Sequence, residues 1–567
     1  MRRIQQSFTL VLLSLFVSIS ANAQSWVKKA AKSVFALQTF SADGSLLGSA
    51  TGVFVDEQGE AISSFAPFKG ASRAVVIDAA GKEWPVEVML GANETYDVAR
   101  FRVGINKSQP VVLAQQTAAE GSSVWLLPQR QAKQAIAGTM RRTETFNTHY
   151  NYYTVKLGDQ RSTFNVQRSM SGLPLFDAEG QLLALMQQPT TDADTLVYAV
   201  SALFADSLKM TGLSINDASL RTVGIKKALP TDFSQAQLTL YVAGSTLDSV
   251  AYAQLIDDFI AQFPQQPDGY VSRALFAANA GRCSDADSDM AQALRISDRT
   301  DETHFNYSRM IYQKLIYRPE PPYEPWTFDR AFQEAEAAYE ASPQALYRQQ
   351  QAYIRYAQQK YAEAASIYAT ILHSELRSPD LFFEAARCHL MQNDTTAYIA
   401  MLDSAVAMFS RPYLKEAAPY ILARAQAKLD AGKYRDATTD LNDYEQLMAA
   451  QVNDQFYYLR FQAEQGGRLF QQALNDITKA VGMNPDQELY YAEKASLEVR
   501  VGLYDEAIKT ANECIARAPE YSDGHLFLGL ARCLKGQKAD GVKSLQRARE
   551  LGDPQADALI EKYGKGK

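Results

Sequence analysis

Leu503-Tyr504-Asp505-Glu506-Ala507 decides how the larger part of this chain is read. An aromatic residue stands three places before an alanine, and the same setting recurs as Lys433-Tyr434-Arg435-Asp436-Ala437 and Lys360-Tyr361-Ala362-Glu363-Ala364. Around it an interval of 34 residues repeats, pairing Ala473 with Ala507, Ala495 with Gly529 and Pro485 with Pro519. The step from Ala437 to Ala473 is 36, so the spacing loosens upstream. Ala274, Ala286 and Ala293 fit the small-residue positions of an earlier unit, the first two 12 apart, as are Ala495 and Ala507. Close packing accounts for the pattern: two antiparallel helices approach tightly only where side chains are small. Proline is accepted at a helix start because its missing N–H is not needed there.

A period of 34 with these features resembles the tetratricopeptide repeat family. The resemblance covers residues 235–560 and is strongest over 418–550. Arg318-Pro319-Glu320-Pro321-Pro322 reads as an insertion between two helices. The family stacks its hairpins into a superhelix with a concave groove, so the resemblance implies protein or peptide partners. Tyr457, Tyr458, Tyr490 and Tyr491 are candidate groove contacts, with packing inside the hairpins as the alternative.

Residues 25–200 have a different rhythm. Short apolar or alternating runs such as Ser33-Val34-Phe35-Ala36-Leu37-Gln38-Thr39 and Gly52-Val53-Phe54-Val55 alternate with turns such as Ala42-Asp43-Gly44 and Asp177-Ala178-Glu179-Gly180. Further runs lie at 74–77, 98–103, 124–127 and 152–156. Many short strands with regular turns predict an antiparallel barrel or sandwich.

Three segments in this half resemble, in chain order, the chymotrypsin-fold serine proteases of the trypsin and HtrA type. Gly52-Val53-Phe54-Val55-Asp56-Glu57-Gln58-Gly59 resembles the strand and turn leading to the catalytic histidine. Tyr96-Asp97-Val98-Ala99-Arg100-Phe101 resembles the aspartate segment, and Ser169-Met170-Ser171-Gly172-Leu173-Pro174-Leu175 the nucleophile loop. The resemblance implies Asp97 and Ser171 as catalytic positions. It places the histidine within residues 61–68, at Ala66 when the segments are aligned on Gly59.

Serine is a weak nucleophile until a neighbouring base takes its proton, a task that suits imidazole. None of the five histidines lies in the first barrel; the first in the chain is His149, on an expected loop of the second barrel. The oxyanion loop also departs from the family pattern. Ser169 stands where a glycine is usual, and Leu173 replaces the glycine after Gly172. The expected state is therefore a vestigial Asp97 and Ser171 in a protease fold retained for binding.

Bulk properties agree with a multidomain globular chain. Of 567 residues 47% are apolar and 21% charged, and 57 basic against 64 acidic residues leave a net charge of −7. That balance gives no support to nucleic-acid binding. Arg2 and Arg3, the apolar residues 8–18 and Ala21-Asn22-Ala23 form a signal-peptide pattern, with cleavage expected after Ala23 and a periplasmic or secreted product. No later run is long enough to span a membrane. Cys283, Cys388, Cys514 and Cys533 are scattered through the helical half without metal-ligand spacing, so no metal and no cofactor is expected. They read as packing residues, with a Cys514–Cys533 disulfide the best alternative.

The expected architecture is multidomain: an N-terminal all-β double barrel of trypsin-like type, then an all-α tetratricopeptide-repeat superhelix. Its boundaries are a signal peptide at 1–23, the β domain at 24–205, a linker at 206–234 and the repeat array at 235–567. The expected function is an exported protein-binding scaffold with an inactive protease-like domain. The alternative is an active serine endopeptidase using Ser171 with an unusual or partner-supplied base.

Overall fold

The computed structural model describes residues 26–129, 135–147, 149–157, 171–187 and 196–564. The signal-peptide residues and Ser169 lie outside them. Two compact units divide the chain, residues up to 296 and residues from 297 onward.

The first unit opens with two closed barrels of six strands each. The first contains β1 (Val34–Phe40), β2 (Leu46–Phe54), β3 (Glu60–Ser63), β4 (Arg73–Ile77), β5 (Glu83–Asn93) and β6 (Val98–Val103). Around its wall the order is β1-β2-β3-β6-β5-β4. The second contains β7 (Ser123–Leu126), β8 (Ile136–Phe146), β9 (Tyr150–Leu157), β10 (Pro174–Phe176), β11 (Leu182–Met186) and β12 (Leu196–Ser201). Its order is β10-β11-β12-β9-β8-β7, the same connectivity read in the opposite direction. All pairings between these strands are antiparallel, and closure pairs each described strand on both sides.

Alternation along the strands builds three cores. Phe35, Leu37, Phe54, Phe68 and Phe101 fill the first barrel, and Val124, Leu126, Met140, Val155 and Leu175 fill the second. Between the barrels, Val34, Val53, Ile62 and Val98 pack against Leu127, Phe176, Leu182 and Val200. That shared apolar seam fixes the barrels face to face, and the site of interest lies where their loops meet.

Residues 206–234 are bound to the first barrel. Leu220, Val223 and Ile225 enter its core. The backbone pairs at Gly70 N to Thr222 O, Gly224 N to Ala71 O, Met89 N to Lys226 O and Ala228 N to Met89 O, at 2.7–2.9 Å. The segment expected as a linker thus packs on the first barrel, because its apolar residues bury in that barrel's core.

Antiparallel helical hairpins follow from Phe233 onward, consistent with a tetratricopeptide superhelix. Ala473, Ala495 and Ala507 are fully buried at helix crossings. At Gly529 an added Cβ would come within 2.8 Å of the Gly541 carbonyl, so the small residue is required by backbone approach. An arginine on the first helix of a hairpin reaches an aspartate 16 residues later on the second. The pairs are Arg273–Asp289, Arg424–Asp440 and Arg460–Asp476. The hairpin turn carries one residue in the left-handed region: Arg468, Gly502 and Gly536 hold it at the 34-residue interval, with φ of 60°, 84° and 92°.

Cys514 and Cys533 are separate buried thiols, so the disulfide alternative is not formed. Cys514 faces the Glu488 carbonyl, and Cys533 packs on Gly541. Burial pushes the Cys388 thiol up to about 12 and the Cys514 thiol up to about 11. Among the described residues no helix is long and apolar enough to cross a membrane.

Candidate functional site

Ser171, Asp97 and Ala66, expected together from the sequence, come together at the mouth of the seam, with one residue the sequence reading did not single out. Asp97 precedes β6 in the left-handed region (φ 51°), a conformation that aspartate tolerates better than most side chains. Its backbone carbonyl accepts from Phe65 N at 3.3 Å, and its Oδ1 accepts from Ala66 N at 2.7 Å. Its Oδ2 accepts from the hydroxyl of Ser64. The short helical turn Ala66–Phe68 is held beneath by Phe65 and Phe68, both fully buried, while Ala66 itself is exposed.

Ser171 approaches from the second barrel. Its Oγ donates to Ser64 Oγ at 2.6 Å, and its carbonyl accepts from Thr51 N of β2 at 3.0 Å. Gly172 turns the chain at φ 76° and donates to the Met186 carbonyl at 2.8 Å. A Cβ there would stand 2.1 Å from the Thr51 carbonyl, so this glycine is set by contact between the barrels. Ser63 Oγ seals the same spot by donating to Thr51 O at 2.8 Å. Nearby, Gln187 Nε2 donates to the Tyr96 carbonyl at 2.9 Å, tying β11 to the aspartate loop. Leu173 is buried in the core of the second barrel, which explains an apolar residue at that place.

The result is a continuous chain, Ser171 to Ser64 to Asp97, in which a hydroxyl occupies the middle. A hydroxyl passes on a hydrogen bond, but unlike imidazole it does not take up a proton near neutral pH. Both serines are buried, at 7% and 1% exposure, so the proton of Ser171 is directed inward. His149 is exposed on the β8–β9 turn, and none of the described hydrogen bonds of Ser171, Ser64 or Asp97 reaches it. Among the described residues no cluster of His, Cys, Asp or Glu is arranged to hold a metal ion. Ser64 was legible only in retrospect: an oxygen within residues 61–68 is the sole signal, and Ser63 shares it.

Residues 50–185 match the family of trypsin-like peptidase domains, and residues 350–413 and 492–556 match the tetratricopeptide repeat. The chain joins a trypsin-like peptidase domain to tetratricopeptide repeats. Among solved structures, the Rv3671c protease from M. tuberculosis in its active form is similar at 17% identity, covering 36% of this chain and 86% of that one with a TM-score of 0.28. The serine endoprotease from Yersinia pestis is similar at 15% identity, covering 33% and 64% with a TM-score of 0.28. Among curated proteins, small glutamine-rich tetratricopeptide repeat-containing protein 2 of Saccharomyces cerevisiae is 27% identical over 99 residues. DnaJ homolog subfamily C member 7 of Homo sapiens is 30% identical over 92 residues. The chain spans 29% and 19% of the length of these two relatives.

The tyrosines proposed for a groove divide. Tyr490 and Tyr491 are buried, at 3% and 2% exposure, and pack the hairpins instead. Tyr490 donates to Asp454 at 2.9 Å and its ring lies 5.1 Å from that of Tyr458. Tyr457 and Tyr458 are half-buried, and Tyr457 donates to Glu445 at 2.9 Å. The reason is the repeat itself: an aromatic side chain on a first helix fills the space that small residues on the neighbouring helices leave.

Proposed function

We propose that this protein is an exported scaffold that binds protein or peptide partners through its repeats, and that its peptidase domain does not hydrolyse peptides. The observation that carries the second part is the Ser64 hydroxyl between Asp97 and Ser171. A nucleophile needs a base at that place, and neither serine can act as one near neutral pH. Retention of the double barrel without the base fits a domain kept for its surface and rigidity. The repeat array supports the first part, since arrays of this kind present extended surfaces to polypeptide partners. Export rests on the signal-peptide pattern ending at Ala23.

A fluorophosphonate probe for activated serines tests the peptidase part on the mature chain, with Ser171→Ala and an active serine protease in parallel. No labelling of either form of this protein, beside a labelled protease, is the expected result. Labelling lost in Ser171→Ala would overturn it in favour of an endopeptidase with a base supplied from elsewhere. N-terminal sequencing of protein recovered from the cell envelope or medium tests export, with Gln24 expected first.

A further inference from the structure

Several buried acids in the helical hairpins are met by guanidinium groups. Asp440 pairs with Arg424, Asp476 with Arg460, and Glu334 with Arg330. Glu384, on the helix Pro379–Met391, has no such partner. Its half-buried carboxylate accepts from the Tyr353 hydroxyl at 2.8 Å, the Tyr368 hydroxyl at 3.1 Å and Gln349 Nε2 at 3.4 Å. All three donors are neutral, and no lysine, arginine or histidine among the described residues forms an ion pair with it. Arg387, one turn further along, is exposed and lies over the Tyr356 ring, 5.1 Å from its centroid.

This carboxylate opens into a cavity of about 450 Å³ whose other walls include Tyr312, Tyr353, Tyr356, Tyr361 and Tyr368. A second cavity of about 490 Å³ shares Tyr353, Glu384 and Arg387 and extends past Gln349 and Asp380. Burial and the Glu384 charge both push the Tyr353 and Tyr368 hydroxyls above the ordinary tyrosine range, so the rings remain neutral phenols.

Neutral donors satisfy the lone pairs of a carboxylate without cancelling its charge, which leaves a negative potential in a partly desolvated place. Aromatic faces add to that potential, because their quadrupoles attract cations. The Arg387 guanidinium on Tyr356 shows that the rim already accommodates a cation against a ring. An anionic group would meet Glu384 and Asp380, and a neutral one would leave the charge as it stands.

We propose that this cavity takes a lysine or arginine side chain of a polypeptide partner, with Glu384 as counter-ion and the tyrosine faces as its walls. The adjoining cavity holds the neighbouring residues of the same segment. This rests on the reading of the repeats as a protein-binding array, and it names the chemistry of the segment bound.

A random-peptide phage library selected on the full mature chain tests both levels. Peptides enriched on the wild type are expected to share one basic position, and replacing that residue by glutamine should weaken a representative synthetic peptide about tenfold or more. Glu384→Gln should weaken it by a similar factor. Tyr312→Leu, which leaves the bonds of Glu384 untouched, should weaken it several-fold, and thermal melts of both variants establish that they are folded. Enriched peptides without a basic position, or unchanged affinity in both folded variants, would overturn the inference and leave the protein-binding reading standing. Failure to enrich any peptide over the isolated beads would overturn both.

Discussion

Ser171 Oγ lies 2.6 Å from Ser64 Oγ, although 107 residues separate them, and this hydroxyl pair links the two barrels. On the far side, Ser64 donates to Asp97, so the two buried serines and the half-buried aspartate, from two barrels, are satisfied within one chain. Buried polar groups with complete partners rigidify a contact, whereas a missing member leaves a costly orphan. The serine pair thus fastens the two barrels at this point.

Replacing that fastening by an imidazole should raise the reactivity of Ser171. In Ser64→Ala/Ala66→His the histidine stands beside Asp97, whose Oδ1 already accepts from the backbone of residue 66 at 2.7 Å. A positioned general base contributes roughly 10²–10⁴ in rate. Fluorophosphonate labelling of Ser171 in the double variant should therefore exceed that of the wild type by at least about tenfold, and vanish when Ser171→Ala is added. Equal labelling of wild type and double variant would mean that the missing base is not what limits Ser171.

Gly172→Ala should loosen the two barrels. The new methyl group would sit 2.1 Å from the Thr51 carbonyl in a backbone at φ 76°. Overpacking and the left-handed conformation each cost about 1–3 kcal/mol, so the variant should be less stable by about 2–6 kcal/mol. Limited proteolysis of the full chain reads this domain apart from the repeats. Unchanged resistance of the barrels would show that the contact with Thr51 is dispensable.

The fold was legible where periodicity was strong and the site only in part. Val98–Val103 reads as a strand because apolar residues alternate with Arg100 and Arg102, and it is β6 in full. By contrast β8 ends in Arg141-Arg142-Thr143-Glu144-Thr145, whose polarity hides it; that end of the strand faces solvent and is held by pairing with β9. Asp97 and Ser171 announced themselves by neighbouring residues in family order. Ser64 did not, since its role depends on a hydroxyl from another barrel that no local pattern records. Tyr490 and Tyr491 stayed open between groove and packing for a related reason: a tyrosine on a repeat helix looks the same whether its ring is in a groove or between hairpins.

The hairpin turns offer a test of the repeat reading. Arg468 adopts φ 60° at the place where Gly502 and Gly536 stand one and two intervals later. A side chain in that region costs about 1–2 kcal/mol, and glycine relieves it while adding some freedom to the unfolded chain. Arg468→Gly should thus stabilise the repeats by up to about 1 kcal/mol, seen as a higher urea midpoint, and Gly502→Arg should do the reverse. A lower midpoint for Arg468→Gly would indicate that the arginine side chain contributes more than its backbone costs.

Glu464 should make the repeats less stable as pH rises. Burial, and then the charge of Asp476, raise its carboxyl to about 8, against a value of 4.5 in the unfolded chain. Its Oε2 has no hydrogen-bond partner, and Arg460 lies 3.8 Å from Oε1 while engaged with Asp476. Below pH 4.5 the group is protonated folded or unfolded and has no effect on the balance. Between 4.5 and 8 unfolding allows it to ionise, so stability falls with pH at up to about 1.4 kcal/mol per unit, and the loss is complete above 8. Glu493, Glu498 and Asp523 are raised by burial as well and pull in the same direction, so the wild type alone does not isolate one group. Glu464→Gln does. Urea midpoints of wild type and variant should nearly coincide at pH 5 and separate by pH 9, with the glutamine variant the more stable. Parallel pH curves would mean that Glu464 ionises as readily in the folded chain as in the unfolded one.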